Sequence, residues 1–133
     1  MKMLRRRLLK LGTLLGASAL LWSCVAPIFP VPPPTAVAFE TTMVTDGDGG
    51  PQTLWIAKGG PLEQAANADY FVFDRTVGGG VIATARNDGS FTAPPMAGNT
   101  GDQVLVYYKT PYGDYSDPLC VLLSTDASPR SCP

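Results

Sequence analysis

Gly80-Val81-Ile82-Ala83-Thr84-Ala85-Arg86, then Asn87-Asp88-Gly89, then Ser90-Phe91-Thr92-Ala93: the reading of this stretch decides the fold. Val, Ile and Thr favour extended backbone because their branched side chains pack well on a pleated surface. Asn, Asp and Gly tolerate positive φ, so three of them in succession mark a tight turn. The stretch therefore predicts a strand, a turn and a returning strand.

Working outward, the same grammar of short extended runs broken by Gly, Asn, Asp and Pro continues in both directions. Ala68–Asp74 predicts a strand joined to Gly80–Arg86 through Thr76–Gly79. Gln52–Lys58 predicts another, closed by Gly59-Gly60-Pro61, and Leu62–Asn67 has room for no more than a helical turn. Ala36–Val44 sets Val37, Phe39 and Met43 on one face against Glu40 and Thr42 on the other, and Asp46-Gly47-Asp48-Gly49-Gly50 breaks it. Beyond Pro94-Pro95, Gln103–Lys109 is apolar on both faces, which suits a central strand, and Leu119–Ser124 is the last. About seven short strands without a long helical pattern predict an all-β protein, a single antiparallel sandwich over residues 36–124.

Ahead of that domain lies a leader, residues 1–23, which predicts a signal helix. Lys2, Arg5, Arg6, Arg7 and Lys10 form a basic head before an apolar run from Leu11 to Trp22 that Gly12, Thr13, Gly16 and Ser18 interrupt. The run is shorter than the roughly 20 residues a spanning helix needs, so it reads as an export signal. Leu21-Trp22-Ser23-Cys24 resembles the lipobox of bacterial lipoproteins, with Trp22 bulkier than that pattern. The resemblance implies cleavage before Cys24 and acylation, palmitate included, on a cysteine that becomes the membrane anchor; two or more acyl chains give stable attachment where one does not. Arg5-Arg6-Arg7-Leu8-Leu9-Lys10 resembles the twin-arginine signal, although Leu4 replaces its usual Ser or Thr, and the general secretory route fits the same head. The expected location is the bacterial cell envelope, on the periplasmic face or outer surface of a membrane.

Residues 24–35 carry Pro27, Pro30, Pro32, Pro33 and Pro34 and predict a polyproline II tether. Pro30-Val31-Pro32-Pro33 also fits a PxxP ligand, but the readers of that motif are mainly intracellular, which favours a spacer. Residues 125–133 predict a loosely ordered tail.

Removing the leader changes the charge balance. It holds five of the ten basic side chains and no acidic one, leaving five basic against eleven acidic groups, a net charge of −6. Such a surface repels phosphate backbones, so nucleic acid is not an expected partner. The chain has no histidine, the commonest general base and a frequent metal ligand. Nothing in the residues points to a cofactor. Cys120 and Cys132 are the remaining thiols; in an oxidising compartment they either pair, pinning the tail to the last strand, or stay independent.

Asp46 and Asp48 open like an oxygen-rich cation loop, but Gly50 and Ala57 stand where an EF-hand needs further ligands, so a hairpin turn is the expected role. Trp55, Tyr107, Tyr108, Tyr112 and Tyr115 could supply a stacking platform for sugar rings or an aromatic hot spot for a protein, with Tyr112, Tyr115 and Trp55 the candidate ligand-binding residues; the alternative is core filling. Asp69 with Asp74, or Asp114 with Asp117, are the carboxylates a glycosidase would need, yet no spacing selects a pair. Ser90 and Ser116 have no histidine to activate them. The expectation is a non-enzymatic structural or protein-interaction module, with a carbohydrate-binding domain as the alternative.

Gly60-Pro61-Leu62, Asp88-Gly89-Ser90-Phe91 and Gly101-Asp102 ahead of a strand resemble the carboxypeptidase regulatory-like, transthyretin-type β-sandwich modules of bacterial surface proteins, over about Gly59 to Leu123. The resemblance implies a hairpin closed by the Asp-Gly turn, an aromatic at Phe91 entering the core, and a non-catalytic spacer or recognition unit.

Overall fold

The structure, a computed structural model, describes residues 30–45 and 47–133. The leader, Cys24 and Asp46 lie outside the described residues. The chain is all-β: β1 Ala38–Thr45, β2 Pro51–Gly59, β3 Asp69–Asp74, β4 Gly79–Thr84, β5 Phe91–Thr92, β6 Gln103–Lys109 and β7 Leu119–Leu122, with a 3₁₀ turn at Glu63–Ala65 among the described residues. Among the described residues no helix is long and apolar enough to cross a membrane.

The strands form two antiparallel sheets. The smaller runs β1-β2-β5 and the larger β4-β3-β6-β7. Alternation along β6 shows why they face each other: Val104, Val106 and Tyr108 are buried, while Gln103, Leu105, Tyr107 and Lys109 are half-buried on the other side. In β3 the buried set is Tyr70, Val72 and Asp74. The smaller sheet answers with Phe39, Trp55, Ala57 and Phe91. Across the gap, the Tyr70 and Phe91 rings stack at 3.9 Å between centroids, and within the smaller sheet Phe39 meets Trp55 edge-on at 6.5 Å. Aromatic pairs of this kind add about 0.5–1.5 kcal/mol beyond the area they bury.

The turn at Asn87-Asp88-Gly89 forms where expected, but its two arms part company. Arg86 N–H still donates to the Ser90 carbonyl at 2.8 Å, yet β5 pairs with β2, Lys58 facing Thr92 and Gly59 facing Phe91. The expected in-sheet hairpin is thus a crossing from one sheet to the other. Its cause is docking of the turn on the segment after β2: Leu62 N–H donates to the Asp88 carbonyl at 2.9 Å, and Gly89, at φ +81°, lies against the Leu62 backbone. Only a residue without Cβ fits that approach. The Asp88 carboxylate braces the turn by accepting from the Ser90 hydroxyl at 2.6 Å and the Ser90 N–H at 2.9 Å.

Both chain ends are more tightly held than their composition implies. The tail returns along β7 and is not loose: Cys120 and Cys132 form a disulfide, Ser131 bridges Val121, and Leu122 N–H donates to the Arg130 carbonyl at 2.8 Å. Toward the N-terminus the described part of the proline-rich segment, from residue 30 on, is docked on the domain. Val31 forms a parallel bridge with Ser116 and accepts the Asp117 N–H at 3.3 Å; Pro32 accepts the Tyr108 hydroxyl at 2.9 Å; Pro34 is buried.

Candidate functional site

Among the described residues no second layer covers the outward side of the larger sheet, and its strands are apolar there. Pairing register places Ile82, Phe71 and Tyr107 in one row across β4, β3 and β6, with Gly80, Phe73 and Leu105 in the next. Phe73 and Ile82 are exposed, Ile82 at 58%. Between them Gly80 leaves a shallow groove of about 200 Å³ bounded by Phe71, Phe73, Ile82 and Tyr107. A Cβ at Gly80 would lie 2.5 Å from the Val72 carbonyl oxygen, so the floor of the groove is held at glycine.

Three rings gather at the end of this face nearer Asp69. Phe71 and Tyr107 stack at 5.0 Å with an interplanar angle of 11°, and Tyr115 lies 6.4 Å from each at a tilt. The Lys109 ammonium sits 5.4 Å from the centre of the Tyr115 ring, within cation–π range. Thr84 donates its hydroxyl to Asp69 at 3.0 Å beside it. The result is an apolar, aromatic strip with polar groups at its end, the composition of an interface centre bordered by a wet rim.

Of the residues singled out from sequence, Tyr107 and Tyr115 belong to this strip. Tyr112 stands apart at the tip of the Thr110–Asp114 turn, 94% exposed, and among the described residues no other ring meets it. Trp55 is removed from the binding set: it is 4% exposed, and its indole N–H donates to the Gly98 carbonyl at 2.9 Å. The hydrophobic drive that puts a Trp at the middle of β2 leaves no ring face for a ligand. Tyr108, also among the candidate aromatics, is fully buried in the core. Phe71 is the member of the strip that the sequence did not distinguish from the core, although apolar residues on both faces of β3 carried the signal.

The carboxylates do not converge. Asp69 and Asp74 sit at opposite ends of β3 and point to opposite faces; Asp74 is fully buried, its Oδ1 accepting the Thr76 N–H at 2.8 Å and the Val77 N–H at 3.2 Å. Asp114 and Asp117 flank Tyr115 on the exposed turn after β6. Asp48 is exposed in the β1–β2 loop next to Asp46, which lies outside the described residues. Among the described residues no three acidic or cysteine side chains come together as a metal site.

Comparison with protein-family models, with curated proteins and with solved structures gave no match, so the residues of the strip and the leader carry the functional reading.

Proposed function

We propose that this chain is a lipid-anchored, non-enzymatic module of the bacterial cell envelope that binds a partner protein on the outer face of its larger sheet. One observation carries the reading: two adjacent rows of apolar side chains, Ile82, Phe71 and Tyr107, then Phe73 and Leu105, on a sheet face that no second layer covers among the described residues. Contiguous exposed apolar surface marks an interaction site more often than it marks idle surface. The leader and Leu21-Trp22-Ser23-Cys24 support anchoring at Cys24, and the Cys120–Cys132 disulfide supports folding in an oxidising compartment. The sandwich is in keeping with the resemblance to carboxypeptidase regulatory-like modules.

A protein fits this face better than a sugar does. A pyranose stacks on the open face of an aromatic ring, whereas Phe71 and Tyr107 turn their faces on each other and present edges. Capture by photo-crosslinking in the native envelope tests the reading with two forms of the acylated protein. The wild type is expected to retain a partner that the Phe73→Ser/Ile82→Lys variant loses, with both forms melting alike because the two side chains are already exposed. Equal recovery overturns the docking face. Glycan binding that depends on Tyr112 and Tyr115 would replace it with carbohydrate recognition. For the anchor, palmitate labelling is expected in the wild type and absent from Cys24→Ser.

A further inference from the structure

The place where the tether joins the sandwich restricts what else can touch the membrane. Cys24 and Val31 are seven residues apart, and extended chain covers at most about 3.6 Å per residue, so an anchor at Cys24 lies within about 25 Å of Val31. Val31 is itself fixed against Ser116 and Asp117, just after the Thr110–Tyr115 turn. That turn is well made: Thr110 N–H donates to the Asp114 carbonyl at 2.8 Å, Gly113 N–H to the Thr110 carbonyl at 2.9 Å, and Asp114 N–H to the Thr110 hydroxyl at 3.1 Å. It is a built projection at the tethered end of the molecule, and it presents Tyr112 at its tip with Tyr115 and Lys109 at its base.

A turn with an exposed tyrosine at its tip, and a lysine over a second exposed tyrosine at its base, suits the headgroup layer of a bilayer. The ring body enters the interfacial region while the hydroxyl and the ammonium stay hydrated. Building on the lipid-anchor reading, we infer that the Thr110–Tyr115 turn is a second, reversible contact with the bilayer that holds Cys24. Tyr112 inserts at headgroup depth. One ring binds weakly by itself, but the anchor makes the contact intramolecular and raises its effective concentration. Asp114 and Asp117 favour zwitterionic over anionic lipid at this spot. The contact stands the sandwich on its tethered end. The β1–β2 loop then points away, because residues 51–53 lie beside Val77, Gly98 and Asn99 at the far end of β3.

Fluorophore quenching in vesicles of phosphatidylcholine with headgroup-nitroxide lipid tests this on the acylated full chain. With Cys24 acylated and Cys120 bonded to Cys132, an introduced cysteine is the one thiol left to label. A label at Pro111→Cys, in the turn, is expected to be quenched several-fold more than one at Gln52→Cys, at the far end. Adding Tyr112→Ser is expected to bring the Pro111→Cys label down to the Gln52→Cys level. Protein that floats with the vesicles yet quenches equally at both labels, or whose quenching ignores Tyr112→Ser, overturns the turn contact and leaves the anchor standing. Protein that does not float overturns the anchor, and the turn contact with it.

Discussion

Gly89 combines φ +81° with a neighbour that leaves no space: a Cβ there would sit 1.8 Å from the Leu62 carbonyl oxygen. Gly89→Ala must move the turn off Leu62 or strain it, and a loss of about 2–4 kcal/mol is expected in urea unfolding. The same turn was the most legible feature of the sequence, because positive-φ chemistry is local. Its docking on Leu62 was not, since nothing near Asp88 in sequence names Leu62 as its partner. Tyr70 makes a second prediction at this scale. Burial, with Tyr108 adding, pushes its hydroxyl up to about 12, and burial also raises Tyr108. The unfolded chain ionises tyrosine near pH 10, so above that pH it sheds protons that the folded state keeps. Stability is therefore full below about pH 10 and falls as pH rises toward 12; urea midpoints should show that fall, and Tyr70→Phe should make it shallower.

Among the elements, β7 and β4 are opposite edges of the larger sheet and are treated differently. The tail, clamped by Cys120–Cys132, lies along β7, whereas β4 has no strand on its outer side among the described residues. The disulfide closes a loop over a sequence separation of 12, which in the chain-entropy view stabilises by about 3 kcal/mol. Cys132→Ser should lose about 2–4 kcal/mol and speed exchange of the Leu122 amide, whose acceptor Arg130 belongs to the released tail. Exchange that stays slow in that variant would mean the tail is held by its backbone pairing alone. Strand positions were readable because alternation is written into each segment. Assignment of β5 to the smaller sheet was not, because pairing partners are chosen by the packing of Phe91 on Tyr70 across the core. The apolar outer side of β6 was visible as a strand greasy on both faces; central position within the sheet explained the pattern equally well, and the structure shows both to be true.

At the level of the whole molecule, proline content marked residues 24–35 as stiff, but stiffness does not reveal where a segment rests. The Tyr108 hydroxyl, reaching Pro32 from a buried strand, settles that. Tyr108→Phe removes one hydrogen bond, and a net cost near 1 kcal/mol is expected. Exchange at the Asp117 amide, which donates to Val31, should rise in that variant while amides of β3 stay protected. Unchanged exchange at Asp117 would show that Val31 docks without help from the hydroxyl.

That docking has a mechanical consequence. If Cys24 is the anchor, as proposed, a pull between it and a load on the sandwich falls first on the Val31–Asp117 and Pro32–Tyr108 bonds, ahead of any strand pairing. When these give way, residues 31–37, at most about 22 Å of extended chain, come under load before β1 does. Undocking residues 31–37 would thus lengthen the tether before the sandwich itself is loaded.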